Sequence, residues 1–236
     1  MKLAVVSDVH GNLAALEAVI EDLGSVKPDL VVHGGDLVFN GPHPAECLDR
    51  IRELGWPGVL GNTDEALWAL PPTFPESAVR TFSVIADATT SLLGAERVAW
   101  LQTLPLEWRD ADRVAVVHAV PGDTWKVVPT GASDAELQEI YGPLAVRLAV
   151  YGHIHRPYVR NVGDFTLANS GSVGMPFDGD RRAAYLLVED GRPEIRRIGY
   201  NVRRHVADLE RSGYPTSRWL IERARFATSA ALALNP

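Results

Sequence analysis

The chain has 236 residues, 46% of them hydrophobic and 22% charged, with 23 Lys+Arg against 30 Asp+Glu for a formal net charge of −7. That composition excludes a disordered or collagen-like chain, and the excess of acid argues against a broad nucleic-acid or anionic-membrane surface. The single cysteine, Cys47, excludes a disulfide framework and a cysteine-rich zinc site.

In chain order, Lys2–Ser7 is a short apolar run expected to be a strand buried on both faces. Asn12 then caps a helix whose apolar side is Leu13, Leu16, Val19, Ile20 and Leu23, with Gly24 near its stop. Asp29–His33 is a second strand, and Cys47, Leu48, Ile51 and Leu54 mark a second helix, with Cys47 on its buried face. Pro57–Leu60 is expected as a third strand. This alternation predicts parallel strands with helical crossovers. The stretch from about Pro75 to Leu104 is helical, broken near Gly94. Six further strands are expected at Arg113–Val117, Arg147–Tyr151, Tyr158–Asn161, Thr166–Ala168, Ala183–Glu189 and Glu194–Ile198. From Val202 onward the pattern is helical again, a carboxyl-terminal extension of one domain spanning residues 1–236. Its Ala/Leu-rich end, Ala230–Leu234, is the one stretch that suggests contact with a second copy in a homo-oligomer. No apolar run is long enough to span a membrane and the amino terminus does not read as a signal peptide, so the expected compartment is the cytoplasm.

Metal-ligand side chains recur directly after apolar strands. Asp8 and His10 follow the first, Asp36 the second, Asn62 the third, His118 the fourth, and His153 and His155 the fifth. The carboxyl ends of parallel strands converge on one crevice, so two Asp, four His and one Asn are expected at one spot. Seven such donors exceed what one catalytic zinc takes and suit two divalent ions sharing one Asp. The donor types admit Mn, Fe, Zn or Ni. Two dications against two carboxylates leave a formal excess of two positive charges, which attracts a phosphate and favours hydroxide from bridging water as the nucleophile.

The blocks Asp8-Val-His10, Gly35-Asp36, Gly61-Asn62, His118 and Gly152-His153-Ile-His155 resemble those of the calcineurin-like metallophosphoesterase superfamily. Asn169-Ser-Gly-Ser-Val173 and Asp178-Gly-Asp-Arg-Arg182-Ala-Ala-Tyr185 resemble later blocks of its small bacterial predicted phosphodiesterases. The resemblance implies a four-layer α-β-β-α sandwich, an α/β fold of two mixed sheets flanked by helices. It assigns Asp8, His10, Asp36 and His155 to one metal and Asp36, Asn62, His118 and His153 to the other, with Asp36 bridging. It implies a phosphodiesterase acting on a small phosphate ester or nucleotide. Alternatives are a phosphoprotein or dinucleoside-polyphosphate phosphatase and a non-catalytic scaffold, whose expected sign, eroded ligands, is missing here.

One departure stands out. Many members read Gly-Asn-His-Asp/Glu, with the His protonating the leaving group; here the block is Gly61-Asn62-Thr63-Asp64. General acid catalysis is typically worth ~10²–10⁴-fold, so its loss is felt on poor leaving groups. A good leaving group, a substitute such as His43 or His33, or a water placed by Asp64 would each answer it. Asp36, Asn62, Asp64 and His118 are the catalytic candidates, and Asn62, His43 and Arg182 the candidates for substrate contact. Arg181 and Arg182 fit either a phosphate or a surface ion pair with Asp178 or Asp180. Trp68 and Trp125 fit either a pocket wall or the core.

Overall fold

The computed structural model describes residues 1–229; the Ala230–Leu234 stretch lies outside them. Among the described residues, nine strands form two sheets. In the first, β1 (Lys2–Val6) lies between β2 (Leu30–His33) and β8 (Ala183–Glu189), and β9 (Arg192–Ile198) pairs with β8. In the second, the order is β3 (Glu107–Asp110), β4 (Val114–Val117), β5 (Leu148–Tyr151), β7 (Phe165–Asn169) and β6 (Tyr158–Val162). The β1–β2, β4–β5 and β5–β7 pairs are parallel and the rest antiparallel, so both sheets are mixed.

Period-two alternation sorts the apolar strands into layers. Leu3 and Val5 of β1, Val114 and Val116 of β4, and Leu148 and Val150 of β5 meet in one cluster between the sheets. The intervening residues face outward. Ala4 and Val6 join Leu16, Val19 and Leu23 of α1 (Leu13–Val26) and Cys47, Leu48 and Ile51 of α2 (Pro44–Glu53). Ala115, Val117, Ala149 and Tyr151 pack beneath Leu137 and Tyr141 of a helix at Asp134–Tyr141. The result is helix, sheet, sheet, helix: the four-layer α-β-β-α sandwich. Each fully buried aliphatic side chain in these layers contributes about 1.5–3 kcal/mol, which is why strands apolar on every residue are stable only here.

The remaining helices are α3 (Asn62–Glu65), α4 (Glu76–Leu93), α5 (Ala95–Leu101), the α6 just described (Asp134–Tyr141), α7 (Val202–Ser212) and α8 (Ser217–Phe226). The last two pack on each other, and α7 on α1. Three local expectations differ. Pro57–Leu60 forms only an isolated bridge from Gly58 to His33, because Leu60 turns away to bond Pro105. Helix α1 runs through Gly24 and ends at Lys27, which takes a left-handed conformation. Strand β3 and helix α6 lack apolar runs; β3 is a half-exposed edge, and α6 starts at a Ser133/Glu136 capping box.

Candidate metal centre

The backbone just past each strand delivers the donors. Asp8 and His10 leave β1, Asp36 leaves β2, His118 follows β4, and His153 and His155 leave β5, while Asn62 opens α3. Asp8, His10, Asp36, His153 and His155 all have left-handed φ, between 49° and 65°. For non-glycine residues that conformation costs of order 1–3 kcal/mol each and persists only where the surroundings hold it. They are held by cross-loop hydrogen bonds: Asp8 N–H to Gly35 O at 2.9 Å, His10 N–H to Asp36 O at 3.0 Å and Gly152 N–H to His118 O at 2.9 Å. Two glycines permit the approach. A Cβ on Gly152 would lie 2.3 Å from Asp8 Oδ2, and one on Gly61 would lie 2.2 Å from Asp36 Oδ1.

Ligand atoms of Asp8, His10, Asp36 and His155 all lie within 4.8 Å of one another, and all four residues are buried. His10 Nδ1 donates to Phe39 O at 2.9 Å and His155 Nδ1 to Met175 O at 2.6 Å. A carbonyl only accepts, so in the neutral rings both Nε2 atoms carry lone pairs. Those Nε2 atoms are 3.1 Å apart. His155 Nε2 is also 3.1 Å from Asp8 Oδ1, and His10 Nε2 is 3.6 Å from Asp36 Oδ2. Four acceptors aimed at one another in a buried pocket repel unless a cation or a proton sits among them. Burial pushes the His10 imidazole below its ordinary range, outweighing the pull of Asp36 and Asp8. The donor set therefore fits a metal ion.

A second group lies on the other side of Asp36. His118 Nδ1 donates to Gly34 O at 2.8 Å, leaving its Nε2 2.8 Å from Asn62 Oδ1 and 3.5 Å from Asp36 Oδ1. His153 Nδ1 is 2.9 Å from the same Asn62 oxygen. Asp36 thus turns Oδ2 toward the first group and Oδ1 toward the second, and the Thr63 N–H donates to Oδ1 at 2.8 Å. All seven predicted donors are brought together in two sets with one shared carboxylate.

The electrostatics suit cations. Burial alone would raise Asp8, but His155 beside it, then His118 and His10, hold its carboxyl well below the usual range. Burial, and then His118, push His153 down to about 4. Burial also lowers His118, yet Asp36 and Asp8 outweigh it and the net shift is upward. Burial and then repulsion from Asp36 push Asp64 up to about 7.

The other candidates lie further out. Asp64 Oδ1 accepts the Leu37 and Val38 N–H groups at 2.9 and 3.3 Å, so this carboxyl braces the loop that carries Asp36. Thr63 Oγ1 is buried without a hydrogen-bond partner. His43 heads α2 with Nε2 3.2 Å from Asp208 Oδ2 and Nδ1 3.4 Å from Glu46 Oε1. Arg182 forks onto Asp180. His33 is fully buried behind Gly34, with neither ring nitrogen hydrogen-bonded. Trp125 packs edge-on against Phe74 and Phe82 and donates its ring N–H to Glu65, and Trp68 is partly exposed. Sequence reasoning missed the backbone acceptors Phe39, Met175 and Gly34, since every residue type carries a carbonyl. The Asn169–Val173 block drew attention to Ser172 without giving it a role; its Oγ donates to Asp8 O and accepts from Met175 N–H, both at 2.7 Å. Phe177 stacks on His155 with ring centroids 4.4 Å apart.

A family model, the calcineurin-like phosphoesterase superfamily domain, matches residues 1–191. The chain belongs to this superfamily. Among calcineurin-like phosphoesterases, a metallophosphoesterase from Sphaerobacter thermophilus is similar in structure, with a TM-score of 0.80 and 29% identity over 97% of this chain and 100% of that one. Phosphodiesterase YfcE of Escherichia coli is 24% identical over 200 residues, 80% of this chain and 89% of its own. A symmetrical bis(5'-nucleosyl)-tetraphosphatase of Methylococcus capsulatus is 31% identical over 143 residues, 59% of this chain and 50% of its own.

Proposed function

We propose that this calcineurin-like phosphoesterase is a phosphodiesterase that works with two divalent cations on a small phosphate ester or nucleotide. The observation that carries the reading is Asp36, whose two carboxylate oxygens face two separate buried donor sets. Asp8, His10, Asp36 and His155 would hold one cation, and Asp36, Asn62, His118 and His153 the other. Manganese and iron are the proposed metals, with zinc and nickel also admitted by the oxygen and imidazole donors. Bound there, the cations supply Lewis acidity toward phosphoryl oxygens and make water a stronger nucleophile at neutral pH.

The chain's own residues do the positioning. The carbonyls of Phe39, Met175 and Gly34 fix the tautomers of His10, His155 and His118 so that a lone pair points inward. Thr63 N–H and the loop braced by Asp64 hold the Asp36 carboxylate in place. Position 63 itself supplies no acid. Thr63 cannot donate a proton near neutral pH, Asp64, pushed up to about 7, is buried with one oxygen held by the Leu37 and Val38 amides, and His43 lies between two carboxylates. The substrate is therefore one whose leaving group departs without protonation, such as an aryl oxide or a phosphate. The free, buried Cys47 and the lack of a membrane-length apolar helix among the described residues accord with a cytoplasmic enzyme.

The test is turnover of bis-p-nitrophenyl phosphate and p-nitrophenyl phosphate by the Mn²⁺-loaded protein. We expect faster cleavage of the diester; no turnover of either would overturn the proposal. Dinucleoside-polyphosphate hydrolysis is the second reading, favoured by Thr63, because a phosphate leaving group needs no acid. A dinucleoside tetraphosphate cleaved in preference to the aryl diester would select it.

A further inference from the structure

Away from the metal centre, an open cavity of about 780 Å³ lies between Arg181–Arg182, the start of α7 and the end of α8. None of the seven donors lines it. Four guanidinium groups do, those of Arg181, Arg182, Arg203 and Arg225, against the single carboxylate of Glu210. In a chain of net charge −7, that local excess of cations is anomalous. Arg182 is neutralised by its fork on Asp180, and Arg225 lies 4.0 Å from Glu210. Arg181 and Arg203 have no ion pair or hydrogen bond among the described residues. Both guanidiniums are exposed and face one cavity from separate elements, where an anion could take a charge-assisted hydrogen bond from each.

Two further features narrow the ligand. Gly199 to Arg203, which lead into α7, line the cavity, and the first turn of this 11-residue helix has no acidic side chain of its own. Its positive end therefore adds to the arginines, and the Glu17 carboxylate beside this turn is paired with Arg204. Beside them, Val202, Val206 and Ala207 form an apolar wall one helical turn long. A bare inorganic anion would leave that wall unused, whereas the volume suits a drug-sized organic molecule.

We propose that this cavity is a second anion site that binds a nucleoside polyphosphate, its phosphates on Arg181 and Arg203 and its apolar body against Val202 and Val206. The site needs no metal and does not depend on the reading of the catalytic centre. The test is isothermal titration of the full chain in EDTA with α,β-methylene-ADP, with pyrophosphate and adenosine as partial ligands. We expect one equivalent to bind, with each partial ligand at least tenfold weaker. The exposed double charge reversal Arg181→Glu/Arg203→Glu should weaken binding at least tenfold while circular dichroism stays unchanged. Val206→Trp, which fills the apolar side, should weaken the nucleotide and spare pyrophosphate. No binding in EDTA, binding indifferent to both variants, or pyrophosphate binding as tightly as the nucleotide would overturn the proposal.

Discussion

Lowering the pH from 7 to 5 should destabilise the metal-free protein, with a separable part of the loss due to His33. This side chain is fully buried at the end of β2, and neither ring nitrogen has a hydrogen-bond partner. Burial alone pushes its pKa from 6.5 down to about 3. The imidazole is thus neutral when folded but takes up a proton when unfolded below its ordinary pKa. Stability is whole above about pH 6.5 and is lost as pH falls through the window down to about 3. At pH 5 the unfolded state is favoured by about 1.5 pH units of proton binding, or about 2 kcal/mol. His33→Leu removes the titration and keeps an apolar body of similar bulk against Trp100. Urea unfolding in EDTA at pH 7, 6 and 5 should show the wild type losing about 2 kcal/mol more than His33→Leu between the ends. His10, His153 and His205 are also held low by burial, but they are common to both proteins and cancel in the difference. Parallel stability curves for the two proteins would refute the reasoning.

Other perturbations address the site and its scaffold. Gly152→Ala places a methyl group 2.3 Å from Asp8 Oδ2, so it should cut metal content, read by elemental analysis, and reduce turnover at least tenfold. Asp36→Asn weakens both donor sets at once and should leave less than one metal per chain after dialysis. Thr63→His should raise turnover of alkyl phosphate esters relative to aryl ones, since it restores an acid where the leaving group departs; an unchanged ratio would place the leaving group elsewhere. Ser133→Ala removes the side-chain half of the α6 capping box, leaving the backbone N–H bond to Glu136, and should cost about 1 kcal/mol by urea unfolding, without touching activity.

The apolar runs at Leu3–Val6, Val114–Val117 and Leu148–Tyr151 made their strands legible, because a strand sandwiched between two layers has no polar face to dilute the signal. Polar Asp or His directly after such a run marked the donors for the same reason: it is where buried backbone meets the crevice. What escaped was structure whose stability lies in partners rather than pattern. β3 is a half-exposed edge held by β4, and Pro57–Leu60 looks like a strand but keeps only one bridge. Helix α6 was announced by Ser133-Asp-Ala-Glu136, a capping signal that apolar periodicity alone overlooks. The left-handed φ values of Asp8, His10, Asp36, His153 and His155 were also invisible, since these residue types gave no glycine-like sign. Arg182 fitted an anion contact or an ion pair by type, and the fold pairs it with Asp180, apart from the seven donors.

Anomalous diffraction from crystals soaked in manganese tests the dinuclear arrangement directly. Two peaks are expected, one on each side of the Asp36 carboxylate, the first among Asp8, His10 and His155 and the second among Asn62, His118 and His153. A single peak, or manganese bound only outside these side chains, would contradict it.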